Sequence, residues 1–387
     1  MLKVGVIATS FKENERRVPI HPEHLDLIPE SLRRHLVFEE GYGLPFGVDD
    51  STIALQSGGI AGRDQLLRSC DVVLIAKPVV ADLLKIREEG IIWGWLHFVQ
   101  QRELTQVAIE RRLTAIAWEA MHHWGPEGEF RGHVFYKNSE IAGYAGVLDA
   151  LRRLGITGRY GPPRRAVVIG FGAVSHGAVY ALQGQDFRDL LVLVTEPGQL
   201  AQGRIPDVSY RELKLMDGRR PGIAEPDRGV RPLIDEMAAA DIIVNGICQD
   251  PNRPLMFIQE DEVDRLKPGC LIIDISCDRG MGFPFAQPTT FENPIIRLGD
   301  ISYYAVDHTP SYLWNSASWE ISRSIIPFLP KVMAGRQQWQ ECETIRRAIE
   351  IQAGFIRNSS ILTFQGRSPQ YPHRPAAFSS GEKELVT

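Results

Sequence analysis

The strongest constraint on this chain is a glycine-punctuated junction at 166–182, AVVIGFGAVSHGAVYAL. A continuous apolar run ends at Gly170-Phe171-Gly172 and passes into a stretch with helical character. The spacing is G-x-G-x-x-x-x-G, a variant of the dinucleotide fingerprint with its last small residue moved out. Gly170 permits the tight turn, and Gly172 lets a pyrophosphate approach the backbone. Ala173 and Val174 open a helix whose N-terminus faces that negative charge, and Gly177 permits close helix–sheet packing. No Gly-Lys-Ser/Thr follows, so the junction is not a P-loop.

The next apolar run, LLVLVT at 190–195, ends at Glu196. A carboxylate there accepts hydrogen bonds from a ribose diol and repels a 2′-phosphate, which favours NAD(H) over NADP(H). Arg188 and Arg204 stand near enough in sequence to serve a phosphate instead.

Other runs have the continuous apolar character of buried parallel strands: 3–8, 72–76, 91–96, 115–118, 241–245 and 271–275. Helix-like stretches separate them, at 21–34, 64–69, 101–111, 139–154, 174–183, 231–239 and 260–266. This alternation predicts an α/β chain of two Rossmann-like domains with parallel sheets flanking an interdomain cleft. A length of 387 residues agrees with two domains. The expected boundaries are 1–136 completed by 301–360, 137–300 for the dinucleotide, and 361–387 as a loosely packed tail. A last helix is expected over 317–334, and 202–231, rich in Arg, Asp, Gly and Pro, reads as a surface insertion or mobile loop.

Composition removes several functions. A net charge of −5 argues against a general nucleic-acid surface. The five cysteines, Cys70, Cys248, Cys270, Cys277 and Cys342, form no CxxC and are odd in number, which suits a cytoplasmic protein. No run reaches the length of a membrane span. Neither a metal-ligand spacing nor Gly-x-Ser-x-Gly is present.

Polar residues placed directly after buried strands are costly without a role. Lys77 follows VVLIA, His97 follows IIWGWL, and Glu119 follows AIAW. Asn245 ends IIVN, and Asp278 follows LIIDISC, with Asp274 inside that run and able to hold a loop. Arg16 and Arg17 in ENERRVPIHP each offer a guanidinium to a carboxylate.

These residues carry a resemblance. FYKNSEIAGYAGVLDALRRLG at 135–155, ERRVPIHPEH at 15–24, LIAKP at 74–78, IIDISCDRG at 272–280 and YYAVDHTPSYLWNSASWEIS at 303–322 resemble the alanine dehydrogenase and saccharopine dehydrogenase superfamily. Within it they are most similar to the carboxyethylornithine synthases. The resemblance implies that Arg17 holds an oxo-acid carboxylate, Lys77 polarises the carbonyl and His97 is the catalytic histidine. It implies that Glu119 lies near an amino-acid substrate and that Asp278 reaches toward substrate and nicotinamide. Ser139, Asn245 and Asp307 would border the nicotinamide. Arg279 departs from the D-Q-G-G pattern of alanine dehydrogenases and could suit a second carboxylate.

The implied reaction joins a pyruvate-like 2-oxo acid to the amino group of an amino acid such as ornithine or lysine. Reductive amination with ammonia, saccharopine-type chemistry, and nucleotide binding without turnover are the alternatives. A soluble homo-oligomer is expected.

Overall fold

The computed structural model describes residues 1–373 except 197, 199–202, 217–219, 226–228, 248 and 250–253. Cys248 and the last part of the expected tail, 374–387, therefore lie outside the described residues. The chain divides into two compact units, Met1–Phe135 with Trp314–Thr387, and Tyr136–Leu313.

The first unit is built on an eight-stranded sheet in the order Phe355–Ile356, Ile349–Gln352, Thr114–Ala117, Ile91–Gly94, Val72–Leu74, Val4–Val6, Leu36–Glu39, Ile60–Ala61. The last six pair in parallel; Ile349–Gln352 pairs antiparallel with both Thr114–Ala117 and Phe355–Ile356. The inner strands are unbroken apolar runs because both faces of the sheet are covered. Ile321, Ile325 and Leu329 from the returning segment pack on one face; Leu66, Leu67, Leu104 and Ala108 pack on the other. The single helix expected over 317–334 is instead Trp314–Ile325, a 3-10 turn at Ile326–Phe328, and Leu329–Ala334. Pro327 and Pro330 each lack the N–H that a continuous helix needs.

The second unit has a nine-stranded sheet in the order Gly229–Pro232, Arg220–Glu225, Ser209–Met216, Asp189–Val194, Arg165–Ile169, Ile242–Asn245, Leu271–Asp274, Ile301–Tyr304, Ile295–Leu298. The strands from Ser209–Met216 to Ile301–Tyr304 are parallel. The chain leaves Arg165–Ile169 toward one side of the sheet and later returns to its other side. That reversal makes the end of this strand the switch point at which open α/β sheets bind ligands.

Four expectations change. From Ser209 on, the described residues of this insertion are not a mobile loop but strands, paired antiparallel to one another, that extend the sheet; the turn-rich composition hid strands that bury Leu213 and Ile223. The segment 301–313 stays with the second unit, because Ile301–Tyr304 pairs with Leu271–Asp274; the return begins at Trp314. Residues 361–373 are packed rather than loose. The helix Ser359–Gln365 buries Ile361, and the buried Arg367 donates to the Arg102 and His373 carbonyls at 3.1 and 2.8 Å.

The fourth concerns Gly177. Its absent side chain makes room for another helix, not for the sheet. A Cβ there would stand 1.7 Å from the Glu140 carbonyl in the long helix Tyr136–Leu154. Gly143 of that helix answers it, since a Cβ would stand 1.9 Å from the Val174 carbonyl. Glycine inside a helix costs about 1 kcal/mol relative to alanine. Close backbone approach between the two helices offsets that cost.

Candidate active site

In the first unit the strands Val72–Leu74, Ile91–Gly94 and Thr114–Ala117 are parallel neighbours. Residues just beyond their carboxyl ends therefore line up along one sheet edge, and these are Lys77, His97 and Glu119. Their local geometry is specific. His97 adopts a left-handed backbone, φ 47°, which an ordinary side chain holds only when its surroundings impose it. Glu119 imposes it. One carboxylate oxygen accepts the N–H of Leu96 at 3.2 Å, and the other accepts the N–H of His97 in a short hydrogen bond. Burial pushes the Glu119 carboxyl up to about 7, against the pull of these N–H groups and of the nearby Lys77 ammonium.

Glu119 is thus tied to backbone, so the role of substrate contact expected for it gives way to positioning His97. Behind it stands Glu350, which sequence reasoning missed. Burial and the Glu119 charge push its carboxyl up to about 8. Both oxygens of Glu119 are bonded, whereas Glu350 Oε2 has no partner among the described residues.

The two arginines differ in burial: Arg16 is exposed over Trp314, and Arg17 is buried. Arg17 Nε and Nη2 donate to the two oxygens of the buried Glu15, and its guanidinium carbon lies over the Trp95 ring, 4.6 Å from the centroid. A fork-to-carboxylate pair of this kind fixes the plane of a guanidinium. Glu15 was also missed. Its only sequence signal is its position two residues before Arg17, the spacing that puts side chains on one side of an extended chain.

In the second unit Gly170 turns the chain with φ 101°. A Cβ on Gly172 would meet nothing within 4 Å, so open space lies over its backbone at the start of the helix Ala173–Gly184. Val174 and Ala173 form the first turn, whose N–H groups precede the first intrahelical bond, His176 N–H to the Gly172 carbonyl at 3.0 Å. This cradle fits a dinucleotide pyrophosphate. Glu196 is exposed just past the strand Asp189–Val194. Beside that strand end lies a pocket of about 320 Å3 lined by Val194, Arg204 and Tyr210, with the Arg204 guanidinium 5.8 Å above the Tyr210 ring.

Asn245 is placed differently from the expectation that it borders nicotinamide. Its amide donates to Asp274 at 2.8 Å, and its oxygen accepts the Ile247 N–H at 3.1 Å. Asp274 also accepts from the Tyr303 hydroxyl at 2.7 Å, and burial raises its carboxyl to about 6. Asn245 and Asp274 are both buried and fix the loop after their strands. Cys277 joins them through Tyr303 at 3.3 Å; burial pushes its thiol up to about 12, so it is a packing group rather than a nucleophile. Asp278 and Arg279 are exposed on the same loop. Ser139 lies in the first turn of Tyr136–Leu154, and Asp307 pairs with His308 at 3.1 Å. Among the described residues no cluster of side chains could hold a metal ion, and no helix is long and apolar enough to cross a membrane.

Comparison with known proteins identifies relatives of the chain. Residues 6–142 match the N-terminal domain model of alanine dehydrogenase/PNT, and 158–359 match its C-terminal domain model. The chain is 28% identical to an N(5)-(carboxyethyl)ornithine synthase of Clostridium botulinum, covering 84% of this chain and 92% of that one. It is 23% identical to an alanine dehydrogenase of Mycobacterium tuberculosis, covering 85% and 86%. Among solved structures it is similar in fold to an L-alanine dehydrogenase, with TM-score 0.74, 19% identity and coverage of 94% and 99%. A transhydrogenase from Sinorhizobium meliloti is similar too, with TM-score 0.71, 19% identity and coverage of 91% and 99%. The chain belongs to the alanine dehydrogenase/PNT family and is an NAD(P)-dependent dehydrogenase of the amino-acid type.

Proposed function

We propose that this enzyme reductively condenses a pyruvate-like 2-oxo acid with the amino group of an amino acid such as ornithine or lysine, giving a secondary amine. The observation that carries this reading is the row of Lys77, His97 and Glu119 at one sheet edge, with the histidine's backbone held by the glutamate. The similarity to carboxyethylornithine synthases supports an amino acid, rather than ammonia, as the amine.

Arg17, fixed by Glu15, orients the carboxylate of the oxo acid. Lys77 stabilises the negative charge that develops on the carbonyl oxygen as the amine nitrogen attacks carbon. His97 then protonates the departing hydroxyl of the carbinolamine, so that water leaves and an imine forms. Gly170, Gly172, Ala173, Val174 and Glu196 would hold a nicotinamide dinucleotide, which would supply hydride for reduction of the imine carbon. Asp278 and Arg279 are assigned to the substrate side, with Arg279 for the second carboxylate. Ser139 and Asp307 are assigned to the nicotinamide side. Glu196 supports NAD(H) over NADP(H), and a cytoplasmic homo-oligomer is the proposed working form.

The test is turnover of NADH with pyruvate and an amino acid by Lys77→Ala and His97→Ala. Each is expected to lower kcat by about 100-fold or more while dinucleotide binding stays within error. Wild-type turnover in either variant would remove the mechanism.

A further inference from the structure

His97 can deliver a proton only if its ring is held in one place, and its left-handed backbone is not a conformation the residue keeps by itself. Such a dihedral persists when the chain is held on both sides of it. The chain entering His97 is held by Glu119, which accepts the N–H groups of Leu96 and His97, and by Gln101, whose Nε2 donates to the Leu96 carbonyl at 3.2 Å. The chain leaving it, at Phe98 and Val99, has a different holder, and that holder comes from the far end of the sequence.

Gln365 is the last residue of the helix Ser359–Gln365 and is 7% exposed. Its Nε2 donates to the Phe98 carbonyl at 2.5 Å, with the Val99 carbonyl at 3.3 Å and Thr105 Oγ1 at 3.1 Å. Thr105 Oγ1 in turn bonds the Phe98 and Gln101 carbonyls at 3.0 and 2.8 Å. The orientation of the Gln365 amide is itself fixed, because its Oε1 accepts from Arg367 Nε. The remaining guanidinium nitrogens of the buried Arg367 donate to Gln106 Oε1 and to the His373 and Arg102 carbonyls at 2.8, 2.8 and 3.1 Å. Arg102 Nη1 returns a bond to the Gln365 carbonyl at 2.5 Å.

This is more than packing requires. An apolar side chain would fill the same space, and a buried amide repays its desolvation only where its N–H groups are needed. Here they meet the carbonyls that directly follow His97. We propose that Gln365 is a positioning residue for His97: with Glu119 it clamps the turn 96–101 from both sides, so that the imidazole stays aimed at the departing hydroxyl. The inference rests on the reading of His97 as the proton donor given above.

The test alters the amide in the full chain. Gln365→Glu keeps the size and the acceptor for Arg367 and removes the donors; Gln365→Ala keeps the test open if a buried carboxylate prevents folding. In each, hydrogen–deuterium exchange is expected to rise by about ten-fold at 96–101 and to stay unchanged at Val72–Leu74 and in the second unit. NADH oxidation is then followed with pyruvate and whichever of L-ornithine, L-lysine and ammonium the wild type uses fastest. The kcat should fall by about ten-fold or more, with the KM for NADH unchanged. Added to His97→Ala, the same substitution should lower kcat by less than about two-fold, because the group it positions is gone. A merely structural residue would lower both backgrounds alike. Unchanged exchange at 96–101, wild-type kcat, or an equal loss in the His97→Ala background overturns the proposal. The two failures are distinguishable: wild-type turnover by His97→Ala removes the reading of His97, whereas unchanged exchange removes the clamp.

Discussion

Glu119 and Glu350 illustrate how much one buried proton can control. The ordinary carboxyl value is 4.5, and Glu350 is raised to about 8 by burial and by Glu119. A group raised on folding holds its proton in the native state after the unfolded chain has released it. Its contribution to stability is complete below pH 4.5 and is lost as pH rises toward 8. Urea unfolding at pH 5 and pH 8 should therefore show a fall for wild type that is reduced in Glu350→Gln. An equal fall in both proteins would place the proton elsewhere. The residues of the sheet edge were legible in sequence because Lys77, His97 and Glu119 each interrupt an apolar run. Their partners were not. Glu350 reaches Glu119 from more than two hundred residues away, and nothing in its own neighbourhood marks it as buried. Asn245 was legible as a strand-end polar group, but its partner Asp274 becomes visible only when parallel register sets the two side by side.

At the scale of elements, the fingerprint helix is governed by two glycines with opposite surroundings. A Cβ on Gly177 would collide with the backbone of Tyr136–Leu154, whereas one on Gly172 would meet open space. Gly177→Ala is expected to cost about 1–3 kcal/mol by overpacking, read as a lower Tm. Gly172→Ala is expected to leave Tm unchanged and to weaken dinucleotide binding by about ten-fold or more. The reverse pattern would mean that Gly172, not Gly177, is the packing residue. The spacing announced the turn and the helix, because turn and pyrophosphate approach are local demands. It could not announce that the helix packs on another helix, since Gly143 and Gly177 reveal their pairing only in three dimensions. The same holds for the strands Ser209–Met216 and Arg220–Glu225, whose mixed polarity gains its order from an edge they extend rather than from their own apolar pattern.

At the scale of the whole molecule, each unit has its own cores. The clusters around Val168 and Val167 draw only on the second unit, and those around Val6 and Val73 only on the first. Residues 136–313 expressed alone are therefore expected to unfold cooperatively and to bind NADH, measured by circular dichroism and calorimetry; an unfolded fragment would contradict this. The two-unit α/β architecture was legible from alternating strands and helices. The exact return point was not, because Ile301–Tyr304 and the Trp314–Ile325 helix are joined by a segment with no composition break. What the molecule does with these units rests on the identity of the amine. The most direct measurement is the initial rate of NADH oxidation with pyruvate and L-ornithine or L-lysine, against pyruvate and ammonium, with the product weighed by mass spectrometry. The account predicts at least about a ten-fold faster rate with one of the amino acids and a secondary amine as product; an equal or faster rate with ammonium, giving alanine, would contradict it.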